Sequence, residues 1–163
     1  FLELRPQILE GMKLAIDHCP TCNVLKLNGH SIGGAMLVHA AIDLIPMYRD
    51  RFQFEMYTFG SPKVGNSLFV KWFTSTIVPS IRRLTNRRDQ MVHLPKDAEL
   101  VHIPSEIYFG DKDEPLNYRE CNDSEEEDPK CSASETHFLS MIANLSFFGF
   151  NSTSCTRIEL ISS

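Results

Sequence analysis

No stretch of this 163-residue chain is apolar for long enough to cross a bilayer as a helix, and no signal-peptide pattern is present. The chain does not begin with Met. Phe1-Leu2-Glu3-Leu4 reads as the interior of something longer, so a fragment or a processed chain is expected and the missing signal says nothing about compartment. Positive charge is also scarce. Lys and Arg total 16 against 21 Asp and Glu, a net charge of -5, which excludes a broad basic surface for nucleic acid. Arg82, Arg83, Arg87 and Arg88 do cluster, but they flank one strand and are followed by an acid, so a local salt-bridged edge is expected. Internal repeats are lacking. Cys19-Pro20-Thr21-Cys22 lacks a second ligand pair of matching spacing, so no zinc site is expected. That pair falls between a helix end and a strand, not at the helix start a redox role would want. A short local disulfide or two plain thiols remain as its readings. Neither a metal nor a cofactor is called for.

What is present is ordinary in bulk. Apolar residues at 42% and charged residues at 23% suit a globular chain, and the length suits one domain over 1–163 with a buried core. Cys121 and Cys131 bracket an acidic, loop-like stretch, good placement for a disulfide-closed loop; Cys155 is left over. Sequons begin at Asn122, Asn144 and Asn151, candidate glycosylation sites. Together with the cysteines they favour an oxidising, secretory setting. The run Glu125-Glu126-Glu127-Asp128 reads as a solvated charge run, not as a metal cage.

Pro6 opens a helix whose apolar spacing takes in Ile8, Met12, Ala15, Ile16 and Cys19. Residues 24–28 read as a strand, 32–45 as an apolar helix ending before Pro46, 52–59 as a second strand and 80–85 as a third. Residues 66–77 are amphipathic, with Leu68, Phe69, Trp72, Phe73 and Ile77 on one face and Trp72 expected in the core. Short extended pieces follow near 99–103 and 106–109. A last helix is expected over 134–147, capped by Ser134. Strands alternating with helices predict a mostly parallel α/β sheet with its site at the strands' carboxyl ends.

The first such end carries the chemistry. Gly29-His30-Ser31-Ile32-Gly33-Gly34 follows an apolar strand and leads into a helix, the strand–elbow–helix setting in which a serine becomes a nucleophile. The turn is tight enough to call for glycine at Gly29 and Gly33, and Ser31 sits at a helix N-terminus that favours developing negative charge. The bland alternative is a helix-capping serine. A serine needs a base, and the base an acid, in the chain order Ser, then Asp or Glu, then His. Among the histidines after Ser31, His93 is four residues from Asp89, too close to leave room for a strand and loop. His102 lies in an apolar extended run that suits a packed histidine, and His137 follows a long loop. His137 is therefore the expected base. Asp89, just past a strand end, is the expected acid, with Asp97 and Glu99 as rivals; Glu106 reads as a structural acid near His102.

These residues resemble the class 3 (fungal-type) triacylglycerol lipases of the α/β-hydrolase fold. Asn28 to Ala35 is similar to T-G-H-S-L-G-G-A. Thr58 to Asn66 is similar to T-F-G-x-P-R-V-G-N, and Asn86 to Pro95 to N-x-x-D-x-V-P-H-L-P. His102 to Tyr108 resembles H-x-x-x-E-V-W. Cys121 through Cys131, then Glu135 to Ser140, resembles the C-x(n)-C-S…D-H-L-S-Y-F ending of protist and nematode members. The resemblance assigns the nucleophile to Ser31, the acid to Asp89 and the base to His137. It implies a Cys121–Cys131 disulfide and a secreted or endolysosomal setting. Departures are Ile32 for Leu, Gln90 and Val92 around the acid, and Glu135-Thr136 where the family has an acid directly before the histidine.

The implied chain is the C-terminal portion of the fold. The early strands, the lid and one oxyanion donor, carried by roughly a hundred N-terminal residues in the family, have no counterpart in it. The expected function is hydrolysis of acylglycerol or other lipid esters, met at a lipid–water interface, through an acyl-enzyme and with the Ile32 backbone N–H as oxyanion donor. Taken alone, the chain should be weak or inactive. Rivals are a phospholipase, a diacylglycerol lipase or a feruloyl esterase of the same fold, or a non-catalytic lipid-binding relative.

Overall fold

Pro6 stands in the first turn of α1 (Arg5–His18), where its missing N–H leaves no helix bond unmade. A computed structural model describes residues 1–78, 80–110, 117–122, 127–135, 140–147 and 150–151 of the chain. Val24–His30 forms β1, two residues longer than expected, and Ser31 turns it directly into α2 (Ile32–Tyr48). α2 runs through Pro46 instead of ending before it. Pro46 lies in the last turn, where one lost backbone bond is outweighed by burial of Leu44 and Ile45 just before it. Gln53–Phe59 is β2, Gly65–Asn66 β3 and Ser67–Trp72 α3, which widens into a π-turn over Phe73–Ile77. Ile81–Asn86 is β4, Leu100–Val101 β5, Glu106–Phe109 β6 and Arg119–Glu120 β7. Met141–Leu145 is α4, followed by the short antiparallel pair β8 (Ser146–Phe147) and β9 (Phe150–Asn151).

The main sheet has the order β1-β2-β4-β6-β7. Its first four strands are parallel and only β7 runs against its neighbour, the mostly parallel α/β sheet expected. Register aligns His30 with Phe59 and Phe59 with Leu84, so the carboxyl ends of β1, β2 and β4 lie side by side. The core gathers Leu27, Val38, Ile45, Met56, Phe73 and Ile81 between sheet and helices. Burying each such side chain contributes about 1.5–3 kcal/mol relative to leaving it in water. Met12 of α1 packs on Ala40 and Leu44 of α2 as a second, smaller cluster.

Several expectations are corrected. Trp72 is 43% exposed and Leu68 76% exposed, while Phe73 and Ile77 are buried. Val70, Phe73 and Ile77 set the inward face; Leu68 and Trp72, four residues apart, form a neighbouring stripe, and the π-turn shifts the phase further. Trp72 packs on Phe69 instead, ring centroids 6.0 Å apart. The arginine cluster is not at a sheet edge, because β4 lies between β2 and β6. Arg83 is buried there, 3.0 Å from Glu106, and its Nε–H donates to the Ile103 carbonyl at 2.9 Å. Glu106 also accepts from the Thr85 hydroxyl and from the Ser132 N–H, so this structural acid serves Arg83 and not His102. His102 is the packed histidine expected. Its Nε2–H donates to the Val92 carbonyl at 2.6 Å, and burial, with the Arg83 charge, holds it well below its ordinary value.

The last helix does not start at Ser134. Ser132–Ser134 is a 3-10 turn in which the Ser134 hydroxyl donates back to the Cys131 carbonyl at 2.7 Å, so it caps nothing. α4 begins at Met141, with the Ser140 hydroxyl oxygen accepting from the Ile142 N–H at 3.1 Å. Disulfides join Cys121 to Cys131 and Cys19 to Cys22, which decides between the two readings of the C-x-x-C pair. Cys155 lies outside the described residues.

Candidate active site

At the end of β1 the chain must turn at once into α2, and Ser31 absorbs that turn with φ 54° and ψ -131°. Such a conformation is costly for a residue with a side chain and persists only where its surroundings enforce it. The Ser31 N–H donates to the Phe59 carbonyl of β2 at 2.8 Å. A Cβ at Gly29 would stand 2.6 Å from the Gly33 carbonyl oxygen, so that glycine is required. Gly33 meets nothing within 4 Å, and the second tight position is Gly34, where a Cβ would stand 2.7 Å from Ser61 Cβ. The elbow therefore needs glycine at Gly29 and Gly34, a correction to the expected pair. Ile32 is the first residue of α2, and its N–H is one of the four that a helix N-terminus leaves without an intrahelical partner.

Asp89 follows β4 by three residues and is fully buried. Its Oδ1 accepts the Met91 N–H at 2.8 Å, and its Oδ2 accepts from Asn144 Nδ2 at 2.8 Å. Burial raises its carboxyl above the ordinary range; the bonds from Asn144 and Met91, and the nearby His30, oppose that rise. An amide supplies a hydrogen bond here but no counter-charge.

Asn144, on α4, is 1% exposed and tied to the ends of three strands. Its Nδ2 also donates to the Gly60 carbonyl after β2 at 3.0 Å. Its own carbonyl accepts from His30 Nε2 at the end of β1 at 2.6 Å, and the carbonyl of Ala143 accepts from Asn86 Nδ2 at the end of β4 at 2.9 Å. Because a carbonyl only accepts, His30 carries its proton on Nε2. Gly60 has φ 55°, and a Cβ there would overlap both Asn144 Nδ2 and Asp89 Oδ2.

The structure thus brings together Gly29, His30, Ser31, Ile32, Gly34 and Asp89 at the carboxyl ends of the strands. His137, the expected base, lies outside the described residues. Asp97 and Glu99, the rival acids, are exposed, and Asp97 is taken up in a local turn with the Glu99 N–H. Asn122 is exposed, as a glycosylation site must be, and the side chain of Asn151 is not described. Asn144 is corrected as a glycosylation candidate, since its buried amide is committed to Gly60 and Asp89.

Among the described residues one His/Cys/Asp/Glu grouping has metal-like proximity, Glu106 with Cys121 and Cys131. Those cysteines are bonded to each other and Glu106 is engaged with Arg83. In the acidic run, Glu127 pairs with Lys63 at 3.3 Å.

Asn144 is the site residue that sequence reasoning missed. The signal was present: Ala143-Asn144-Leu145-Ser146-Phe147-Phe148 fits D-H-L-S-Y-F with leucine, serine and the final phenylalanine in place. Glu135 to Ser140 fits it only with Phe138 inserted between the histidine and Leu139-Ser140.

A strained serine between a parallel strand and a helix, with a buried acid past a later strand, defines an α/β-hydrolase site. The chain belongs to the class 3 lipase family: the family model described as lipase (class 3) matches residues 1–99, which hold Ser31 and Asp89. It is 35% identical over 135 residues to a lipase of Rhizomucor miehei, covering 81% of this chain and 36% of that protein. Over 98 residues it is 35% identical to a secreted mono- and diacylglycerol lipase of Fusarium solani, covering 58% of this chain and 28% of that protein. The solved structure of the Rhizomucor miehei triacylglyceride lipase superposes with a TM-score of 0.78 at 32% identity, covering 94% of this chain and 58% of that one. A further solved triacylglycerol lipase, also at 0.78 and 32%, is described as having a serine protease triad as its catalytic centre. This chain spans about a third of the curated relatives it matches and about half of the solved chains. These relatives are fungal; the finer likeness to protist and nematode members is not among what they show.

Proposed function

We propose that this chain, a single domain over 1–163, is the nucleophile-bearing part of a lipase-type carboxylic ester hydrolase that takes acylglycerol lipids at Ser31. The Ser31 Oγ bonds to the ester carbonyl carbon, its proton passes to a base oriented by Asp89, and the carbonyl oxygen becomes the oxyanion that the Ile32 N–H receives. The bond to the alcohol breaks as the alcohol takes the proton, and water releases the acid by the same steps in reverse. In chain order His137 is the histidine expected as that base. One oxyanion donor is worth on the order of 10²–10³ in rate, so the chain taken alone, with Ile32 as the one donor identified among the described residues, is a weak catalyst. The lipid–water interface is where such a substrate is met. The two disulfides and the secreted Fusarium relative support a secreted protein.

The observation that carries this reading is the Ser31 backbone, φ 54° and ψ -131°, held between Gly29 and Gly34. A mere helix-capping serine does not account for that strain, and the Ser31 side chain makes no capping bond. The test is prolonged exposure of the full-length protein to a fluorophosphonate, with the adduct located by peptide mass spectrometry. An adduct on Ser31 that is absent from Ser31→Ala is expected; one on another residue refutes the nucleophile. A second reading is favoured by one observation, the Asn144 amide on Asp89: the same site holding a lipid ester without turning it over at a lipase's rate.

A further inference from the structure

In a serine triad the acid acts by accepting an N–H from the base, which fixes the base's tautomer and steadies its charge. Asp89 is fully buried, and each of its carboxylate oxygens already receives a donor. Oδ1 takes the Met91 N–H, which is local to the loop. Oδ2, on the side of Gly60, takes Asn144 Nδ2 at 2.8 Å. We infer that Asn144 occupies the base's place on Asp89, so that the site holds an acyl ester against Ser31 but hydrolyses it slowly for want of an oriented proton acceptor. This rests on the reading of Ser31 and Asp89 as nucleophile and acid, and it revises the base.

Three further observations agree. Asn144 is locked in place by His30, Gly60 and, through its neighbour Ala143, by Asn86, so it is a built part of the site and no surface amide that strayed inward. Gly60 is held at φ 55° where any side chain would collide with it and with Asp89. Finally, Ala143-Asn144-Leu145-Ser146-Phe147-Phe148 puts asparagine at the histidine of D-H-L-S-Y-F.

The chemistry of the exchange is asymmetric. An asparagine amide N–H can donate to a carboxylate as an imidazole N–H does, so the acid keeps its partner and the fold keeps its bond. The amide has no basic nitrogen on its other side, so the proton of the Ser31 hydroxyl has no acceptor there. It also carries no positive charge at any stage. His30, next to Ser31, has its Nε2–H engaged by the Asn144 carbonyl, with the ring directed at that backbone.

The test compares kcat/KM on p-nitrophenyl butyrate for full-length wild type, Asn144→His and Asn144→His with Ser31→Ala. A positioned base is worth about 10²–10⁴. Asn144→His is expected to raise kcat/KM by that factor, and Ser31→Ala to abolish the gain. No gain in a folded Asn144→His overturns the inference. A gain that survives Ser31→Ala overturns the nucleophile reading beneath it.

A second measurement on the wild type keeps the inference falsifiable should Asn144→His not fold. An imidazole bonded to a buried carboxylate gives a strongly downfield N–H proton resonance. Its absence from the wild type is expected. Its presence, with loss in His137→Asn and a matching loss of turnover, would put His137 on Asp89 and overturn the inference while leaving Ser31 in its role.

Discussion

Replacing Gly60 with alanine should cost the fold about 2–5 kcal/mol, and part of that cost should depend on Asn144. Two terms combine. A residue with a Cβ at φ 55° pays about 1–2 kcal/mol for the left-handed conformation. The added methyl also overlaps Asn144 Nδ2 and Asp89 Oδ2, which cannot swing aside because each is fixed by further hydrogen bonds. Forcing atoms into a packed interior typically costs about 1–3 kcal/mol. For a domain of this size the sum lowers the unfolding midpoint by about 4–20 °C. The assay is urea and thermal unfolding of wild type, Gly60→Ala, Asn144→Ala and the double variant. Removing the Asn144 amide first relieves part of the overlap, so the double-variant cycle should show coupling of at least about 0.5 kcal/mol. A cost below 1 kcal/mol, or strict additivity, would refute the packing of Gly60 against Asn144.

Other consequences follow from the same packing. Glu106→Gln removes the carboxylate charge 3.0 Å from the buried Arg83 guanidinium and should destabilise the fold by about 3–5 kcal/mol by urea unfolding, far more than loss of the exposed Lys13–Asp17 pair. His102 is held well below its ordinary value in the fold, so below about pH 6.5 the unfolded chain binds the extra proton. Stability is then complete above pH 6.5 and falls, by up to about 1.4 kcal/mol per pH unit from this residue, as the pH drops to 5. His102→Gln should flatten that slope, which unfolding curves at pH 5 and 7.5 will measure. Glycopeptide mapping of protein from a secretory host should find sugar at the exposed Asn122 and none at the buried Asn144.

What could be read from the sequence was what is local. Ser31 was legible because glycines, strand and helix all fall within a few residues of it, and Asp89 because it lies three residues past a strand. The parallel sheet was legible from alternation alone. The pairing of Arg83 with Glu106 was not, since it depends on β6 lying beside β4, a register no local pattern reveals. Trp72 was misplaced because helical spacing admits two neighbouring stripes, and only the π-turn and the sheet beneath decide which faces inward. Gly33 and Gly34 exchange importance for a similar reason: what closes on Gly34 is Ser61, from the loop after β2.

The base is the most instructive case. A search for histidine in the right chain order finds His137, which lies outside the described residues; among the described residues, the side chain that reaches Asp89 across the ends of β1, β2 and β4 is an asparagine, which such a search passes over.

The central claim is that Ser31 is a poised nucleophile whose base position on Asp89 is filled by Asn144. It is tested most directly by the rate of fluorophosphonate labelling in the full-length protein, wild type against Asn144→His, with Ser31→Ala in both backgrounds. Labelling confined to Ser31 and at least 100-fold faster in Asn144→His, the lower end of what a positioned base supplies, is expected. Rapid labelling of the wild type that Asn144→His does not increase, or an adduct that survives Ser31→Ala, would contradict it.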